Sequence, residues 1–158
     1  MARRHDKTWS RRAALQLLYS AEMTDQSVED AVAQGILLFE SEEEQGAAPD
    51  KYTLELCRGV EEHQAEIDEL IDSSSDNWSI GRMPIMDRIA LRLAVYEMRY
   101  VSTVPVSVSI DEAVEIAKEF GGEDESHRFV NGVLGQVAKR LDGLAAKAEP
   151  ADAAAEEK

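Results

Sequence analysis

Residues 87–141 read DRIALRLAVYEMRYVSTVPVSVSIDEAVEIAKEFGGEDESHRFVNGVLGQVAKRL, and this stretch decides the fold. Its apolar spacing predicts three helices joined by two short connectors. Ser109 followed by Glu112 predicts a capping box at the start of the second helix, and Gly121 predicts its end. The segment VSTVPVSV contains Pro105 and is predicted to be an extended connector rather than a strand.

The first of these helices is predicted to run from about Pro84 to Arg99 and to be the central helix of the fold. Apolar residues occupy most of its faces, which is typical of a helix buried on several sides. Glu97 lies among apolar neighbours, so it needs a partner if it is buried. Three arginines form one stripe on this helix, which must reach solvent, acidic side chains or phosphate: Arg88, Arg92 and Arg99.

The upstream half of the chain is also predicted to be helical, because apolar residues recur at helical spacing and turn-forming residues separate the runs. The predicted elements are a helix from about Ser10 to Met23, one from about Val28 to Glu43, one from about Asp50 through Ile71, and a short turn of helix around Trp78. We therefore predict an all-α protein of about seven helices, built as two small bundles that share the central helix.

The predicted organisation has three parts. Residues 1–9 form a basic N-terminal arm, and residues 10–144 form the helical domain. Its two bundles cover about 10–77 and 78–144. Residues 145–158 form an acidic tail without large apolar side chains, which is predicted to be disordered because it cannot bury a core.

Charge is distributed unevenly along the chain. The net formal charge is −15, which by itself argues against nucleic-acid binding. The start of the chain is nevertheless basic, through Arg3, Arg4, Lys7, Arg11 and Arg12. A basic arm on an acidic body can hold phosphates while the body repels wrongly placed RNA, although an ordinary solvated terminus can have the same composition.

Neither composition nor motifs indicate an enzyme, a metal protein or a membrane protein. His5, His63 and His127 lie on different predicted elements, and the sequence contains neither a phosphate-binding loop nor a metal-ligand motif. The single cysteine, Cys57, excludes an internal disulfide and predicts a small buried residue in a reducing, cytoplasmic setting. No apolar run approaches about eighteen residues, and no secretory signal is recognisable. We expect no cofactor, no metal, no membrane and no catalysis.

The first predicted helix carries a candidate protein interface. Its core face holds leucines and alanines, while Arg12, Gln16, Tyr19 and Met23 fall together on the opposite side. An aromatic hydroxyl flanked by arginine and glutamine on an exposed stripe is typical of a protein interface. The alternative is that a second bundle covers this face.

Phe129 is the candidate base-contacting residue. It lies at the edge of the apolar arc in the first turn of the last predicted helix, and Arg128 beside it points further toward solvent. An aromatic ring beside an arginine at a helix N-terminus can stack on a base and hold a phosphate. A partly buried phenylalanine at a helix start is the alternative.

The motifs LRLAVYE, VPVSVSIDEAVEIAK and SHRFVNGVL, in that order and spacing, resemble the NusB transcription antitermination factor family. The resemblance extends from about Arg11 to Leu141 and is strongest from Asp87 onward. It implies an RNA-binding adapter that binds the boxA RNA of nascent ribosomal RNA transcripts together with ribosomal protein S10, also called NusE. That complex would join the elongating RNA polymerase and suppress premature termination.

The resemblance also implies roles for particular residues. The tyrosine of the ALQLLY motif, Tyr19, and the acidic Asp87 would contact S10, and Gln16 shares the stripe of Tyr19. The RNA surface would combine the basic arm with the start of the last helix, through Arg3, Arg4, Lys7, Arg11, Arg12, Lys118, Arg128 and Phe129.

Two alternatives to this function remain. The first is a protein-only helical adapter or homodimer that does not recognise RNA directly. The second is an RNA-targeting domain like the NusB-like domain fused to some ribosomal RNA methyltransferases. It is the weaker expectation, because no cofactor-binding domain follows in this sequence.

Overall fold

The computed structural model describes residues 6–34, 49–75, 79–122 and 124–147. Within these ranges the chain forms seven α-helices, one 3-10 turn and no strand. The helices are α1 (Asp6–Met23), α2 (Val28–Ala33), α3 (Lys51–Glu62), α4 (Gln64–Ser74), α5 (Ile85–Tyr100), α6 (Val106–Phe120) and α7 (Ser126–Lys147), and the 3-10 turn is Ile80–Arg82. The predicted all-α fold of about seven helices is confirmed.

α5 is the central helix, as the sequence predicts. The helices α1, α2 and α3 pack on one another, α6 and α7 pack together, and α5 contacts both groups. Leu15 of α1, Leu91 of α5 and Leu134 of α7 are all fully buried in one core. Burying such a side chain stabilises a fold by roughly 1.5–3 kcal/mol. The two small bundles are therefore joined through the apolar faces of α5, and α4 adds to the connection by packing on α3, α5 and α7.

α1 begins at Asp6, earlier than the predicted start at Ser10. The extra turn is held by the core, because Trp9 is only 6% exposed and packs within it. The Thr8 hydroxyl also donates a hydrogen bond to Glu112 of α6 at 3.3 Å. Residues 6–9 of the predicted arm are thus the first turn of α1, with Trp9 in the core, while residues 1–5 lie outside the described residues.

The helix predicted from Asp50 through Ile71 is two helices, α3 and α4, which meet at His63. Asp50 caps α3, because its carboxylate accepts a hydrogen bond from the Thr53 backbone N–H at 2.8 Å. At His63 the backbone leaves the helical region, with φ −109° and ψ 18°. Neither proline nor glycine marks this break, so the continuous apolar stripe predicted one long helix.

The capping box predicted at Ser109 and Glu112 is wrong. α6 begins at Val106, directly after Pro105, whose fixed φ suits a helix start. Ser109 lies inside the helix, is buried, and donates its hydroxyl hydrogen to Glu97 at 2.9 Å. Gly121 ends α6 as predicted.

Three other predictions fall partly or wholly outside the described residues. The second predicted helix is seen as α2, and its continuation from residue 35 to Glu43 lies outside the described ranges, as does the turn around Trp78. α7 continues to Lys147, so the first residues of the predicted tail are helical. Residues 148–158 lie outside the described ranges.

Candidate nucleic-acid interface

The turn between α6 and α7, described at residues 121–122 and 124–125, is held against the N-terminal end of α5. Asp87 in the first turn of α5 is only 2% exposed. Its carboxylate accepts hydrogen bonds from the Ser126 hydroxyl at 2.8 Å and from the Gly122 backbone N–H at 3.4 Å. The carboxylate therefore joins both ends of the turn to α5.

Two glycines allow the turn to approach this closely. A Cβ on Gly121 would lie 2.5 Å from the Cβ of Ser126. A Cβ on Gly122 would lie 2.6 Å from the Cβ of Pro84, at the start of α5. Close approach of backbone to a neighbouring element is one of the situations that require glycine, so a larger residue at either position would push the turn away.

Phe129 lines a cavity between this turn and α5. The cavity has a volume of about 250 Å³, and the phenyl ring is half-buried against the core. Its lining residues are Arg82, Met83, Pro84, Asp87, Glu125, Ser126 and Phe129. Apolar walls with a few polar groups are typical of a site for a small flat ligand, and an unstacked base is such a ligand.

Exposed cations flank the turn on both sides. Lys118, in the last turn of α6, forms an ion pair with Glu115 at 3.4 Å. Arg128, in the first turn of α7, forms one with Glu125 at 3.2 Å. Exposed ion pairs contribute only about 0–1 kcal/mol, so a phosphate can replace either carboxylate at little cost in free energy.

A second cavity borders the same turn and is more polar. Its volume is about 330 Å³, and it is lined by Ala117, Lys118, Gly121, Gly122, Asp124 and His127. An ammonium group, an imidazole and backbone groups in one concave surface suit contacts to phosphate and sugar. The two cavities place apolar and polar subsites on either side of one turn.

Arg11 is not part of this face, which corrects the prediction that it contacts RNA. It is only 5% exposed, and its Nε lies 3.1 Å and 2.9 Å from the two carboxylate oxygens of Glu97. The hydroxyls of Tyr52 and Ser109 also donate to Glu97. Burial, with the hydrogen bond to Glu97, raises the pKa of Tyr52 well above its usual range. Arg11 is the partner that the buried Glu97 needs, so its guanidinium is not available to phosphate.

Asp87, which the resemblance predicts as an S10 contact, lies in the first turn of α5. Its carboxylate is buried and faces Ser126 and Gly122. The same side chain also borders the cavity that Phe129 lines. Asp87 therefore holds the α6–α7 turn beside this cavity.

The stripe of α1 is partly exposed. Tyr19 and Gln16 are half-buried, and Met23 is 59% exposed. Arg12 pairs with Glu119 of α6 at 2.9 Å, so the stripe borders the end of α6. Arg12 Nη1 and Gln16 Oε1, one helical turn apart, have no hydrogen-bond partner among the described residues. The stripe thus combines an aromatic ring and a thioether with two polar side chains, each of which has one buried atom without a hydrogen bond.

The basic N-terminal residues are only partly described. Arg3 and Arg4 lie outside the described residues. Lys7 is exposed, and its Nζ lies 5.1 Å from the centroid of the Tyr52 ring. A cation over an aromatic face is weakly held at an exposed site, so Lys7 keeps its charge available at the start of α1.

The arginine stripe of α5 is matched by acidic side chains of α1 and α4. The pairs are Arg88 with Glu22, Arg92 with Asp68 and Arg99 with Glu66. Arg92 binds Asp68 through two parallel hydrogen bonds, at 2.8 Å and 3.0 Å. The sequence allowed these arginines to contact solvent, acidic side chains or phosphate, and contacts with acidic side chains are observed.

The described residues include no cluster suited to a metal ion and no membrane-spanning helix, and the thiol of Cys57 is buried. Within residues 6–34, 49–75, 79–122 and 124–147, no group of three or more His, Cys, Asp or Glu side chains could hold a metal ion. Burial raises the pKa of the Cys57 thiol above its usual range, so this cysteine is the inert core residue that the sequence predicts. None of the described helices combines the length and the apolar character needed to cross a membrane.

Comparison with known proteins identifies the family. The family model described as "NusB family" matches residues 8–139. The chain belongs to the NusB family. Among its relatives, the transcription antitermination protein NusB of Geobacter sulfurreducens is 44% identical over 131 residues, which cover 83% of this chain and 92% of the relative. The resemblance inferred from the motifs is confirmed, and the chain is a transcription antitermination factor of the NusB type.

Solved structures share the fold. NusB from T. maritima has a TM-score of 0.69 at 34% identity, covering 84% of this chain and 89% of that one. A chain from the crystal structure of the antitermination factors NusB and NusE in complex with double-stranded RNA has a TM-score of 0.67, covering 87% and 99%. Its identity is 22%, so that likeness concerns the fold alone.

Proposed function

We propose that this NusB-family chain binds the boxA RNA of nascent ribosomal RNA transcripts together with ribosomal protein S10 (NusE). In the cytoplasm this complex joins elongating RNA polymerase and suppresses premature termination. The proposal is supported by family membership and by the shared fold with a chain of the NusB–NusE–RNA crystal structure. The observation that carries it is the α6–α7 turn, where the half-buried Phe129 follows the exposed Arg128 at the start of α7 and the exposed Lys118 lies in the last turn of α6.

In this proposal the α6–α7 turn supplies recognition and the cations supply attraction. A base unstacked from the RNA lies on Phe129 in the cavity beside α5, which contributes about 1–3 kcal/mol. Lys118, Arg128 and Lys7 hold phosphates, and Arg3 and Arg4 add positive charge at the chain start. The remaining surface is acidic, so it repels RNA that approaches elsewhere.

S10 occupies the α1 stripe in this proposal. Tyr19 supplies a large aromatic surface with a polar end, a residue type enriched at interface hot spots. Gln16 and Arg12 are half-buried beside Tyr19, and their exposed parts supply a polar edge to this interface. Met23 adds exposed apolar area next to Tyr19.

The RNA part is tested by titrating the protein and S10 with a boxA-containing single-stranded RNA and with a scrambled RNA of the same composition. We expect boxA to bind more tightly. For both RNAs the logarithm of the affinity should fall linearly with the logarithm of the salt concentration, because each phosphate contact releases counterions. Equal affinity for the two RNAs at every salt concentration contradicts boxA recognition. Binding of S10 without any binding of RNA supports the protein-only adapter instead.

The S10 part is tested by Tyr19→Ala, with Tyr100→Ala as a matched loss of another half-buried tyrosine. We expect the Tyr19 variant to lower S10 affinity by about 2 kcal/mol, the value typical of an aromatic hot spot. RNA binding without S10 should change little. Calorimetry with S10 provides the measurement, and equal S10 affinity for the two folded variants would place the interface elsewhere.

A further inference from the structure

We propose that Asp87 is a positioning residue for RNA recognition, which acts through Ser126 and Gly122. This inference rests on the function proposed above and assigns a separate role within it. The Asp87 carboxylate holds the α6–α7 turn against α5. The position of this turn determines where Phe129 contacts a base.

The hydrogen bonds of Asp87 reach both ends of the turn. Gly122 is near its start, and Ser126 is the first residue of α7. Phe129 follows Ser126 by one helical turn, so the position of the phenyl ring depends on where α7 begins. Because Asp87 is almost completely buried, the contact is made inside the molecule and is not screened by solvent.

Because the two glycines pack closely, the position of the turn on α5 is sensitive to small movements. Gly122 leaves no room for a Cβ against Pro84, and Gly121 leaves none against Ser126. The cavity of about 250 Å³ lies between the same surfaces, with Asp87 and Phe129 both in its lining. If the carboxylate no longer holds the turn, the cavity changes shape while the main core of α1, α3 and α5 is untouched.

If Asp87 acts only through its charge, removing it should raise RNA affinity; if it acts by positioning the turn, removing it should lower that affinity. Neutralising an acidic residue beside an RNA face raises affinity for phosphate if only charge matters. Removing the group that seats the turn lowers affinity for the specific RNA. Asp87→Ala therefore separates the two, and Asp87→Asn, which keeps one oxygen to accept the Ser126 hydrogen bond, should retain part of the affinity.

Ser126→Ala is the main test, because it removes the hydrogen bond to Asp87 without changing charge. Ser109→Ala is its matched control: Ser109 is also buried and donates to a carboxylate of α5, but it lies about 18 Å from Gly121 along α6. Affinity for the boxA-containing RNA and its scrambled counterpart is measured at several salt concentrations, with S10 affinity, thermal unfolding and hydrogen exchange of residues 121–129 on the same samples.

We expect Ser126→Ala to lower boxA affinity by about threefold to tenfold, the equivalent of one net hydrogen bond. Its salt slope, its affinity for scrambled RNA and its S10 affinity should stay unchanged, and exchange at residues 121–129 should rise. Ser109→Ala should lower thermal stability but leave boxA affinity of the folded protein unchanged. Asp87→Ala should resemble Ser126→Ala, and Asp87→Asn should lie between it and the natural protein.

Two outcomes overturn the inference. One is natural boxA affinity in the Ser126→Ala and Asp87→Ala variants. The other is a lowered boxA affinity in Ser126→Ala without faster hydrogen exchange at residues 121–129, because the hydroxyl would then not act by holding the turn. If the natural protein with S10 does not prefer boxA over scrambled RNA, the proposed function itself fails, and this result is distinct from both.

Discussion

Two carboxylates are buried on α5, and they bind different parts of the molecule. Glu97, near the C-terminal end, accepts hydrogen bonds from Arg11 of α1, Tyr52 of α3 and Ser109 of α6. Asp87, near the N-terminal end, accepts them from a hydroxyl and a backbone amide at the α6–α7 turn. Glu97 thus joins three helices from both bundles, whereas Asp87 joins one turn to the central helix.

This difference separates the stability of the fold from the shape of the site. The Glu97 cluster contains a buried guanidinium, so removing the carboxylate would leave an uncompensated charge inside the protein. The donors observed on Asp87 are uncharged and lie beside the candidate RNA cavity. We therefore expect damage at Glu97 to act on the whole fold and damage near Asp87 to act on recognition.

The largest expected effect is that of Glu97→Ala. It should lower the free energy of unfolding by about 3–5 kcal/mol, because Arg11 stays buried without its partner. Urea denaturation followed by circular dichroism measures the change. Asp111→Ala, at an exposed position of α6, is the control and should stay within about 0.5 kcal/mol of the natural protein. A loss of less than about 1 kcal/mol for Glu97→Ala would show that the Glu97 cluster does not stabilise the whole fold. The proposed difference between Glu97 and Asp87 would then be wrong.

An intermediate effect is expected for Phe129→Ala, on RNA binding more than on folding. Affinity for the boxA RNA should fall by about 1–3 kcal/mol through the lost base stack, with little change in salt slope. Leu134→Ala on the same helix is the control, since it is fully buried and should lower stability by about 2–5 kcal/mol without altering recognition by the folded fraction.

Thermal unfolding and RNA titration on the same samples decide between the two roles of Phe129. A large drop in melting temperature, with RNA affinity retained by the folded fraction, would make Phe129 a structural residue. The start of α7 would then stabilise the fold, and it would not belong to a separate region for RNA recognition.

The smallest expected effect is that of Arg12→Ala. Arg12 pairs with the half-exposed Glu119, so its removal should lower stability by no more than about 1 kcal/mol. If Arg12 leaves Glu119 for a phosphate, the salt slope should become shallower by about 1, with similar losses on boxA and scrambled RNA. RNA titration at several salt concentrations measures the slope.

Arg11→Ala is the sharpest comparison for that result, because it changes the preceding residue. It should leave the salt slope unchanged and lower stability, since Arg11 is a buried partner of Glu97. Equal salt slopes for the Arg12 variant and the natural protein would remove Arg12 from the phosphate contacts.

The sequence predicted much of the fold and less of the site. The apolar character of α5 correctly predicted a central helix, and the apolar setting of Cys57 predicted its burial. The partner of Glu97 was not predictable, because Arg11 is 86 residues away in the chain and reads as part of a basic cluster. Ser126 and Gly122 were missed as well, since a serine and a glycine beside a helix start carry no signal of the carboxylate that they face.

What the sequence determined by itself is local and repetitive. Apolar spacing specifies which segments are helical and which face of each is buried, and the ordered motifs of residues 87–141 identify the NusB family. Only the tertiary structure decided which charged residues are internal. Arg11 and Arg12 are adjacent in sequence, but about 100° of helix rotation turns one toward Glu97 and the other toward Glu119 on the surface. That choice depends on where distant helices pack, because a charge enters the core only where another element brings its partner within hydrogen-bond distance.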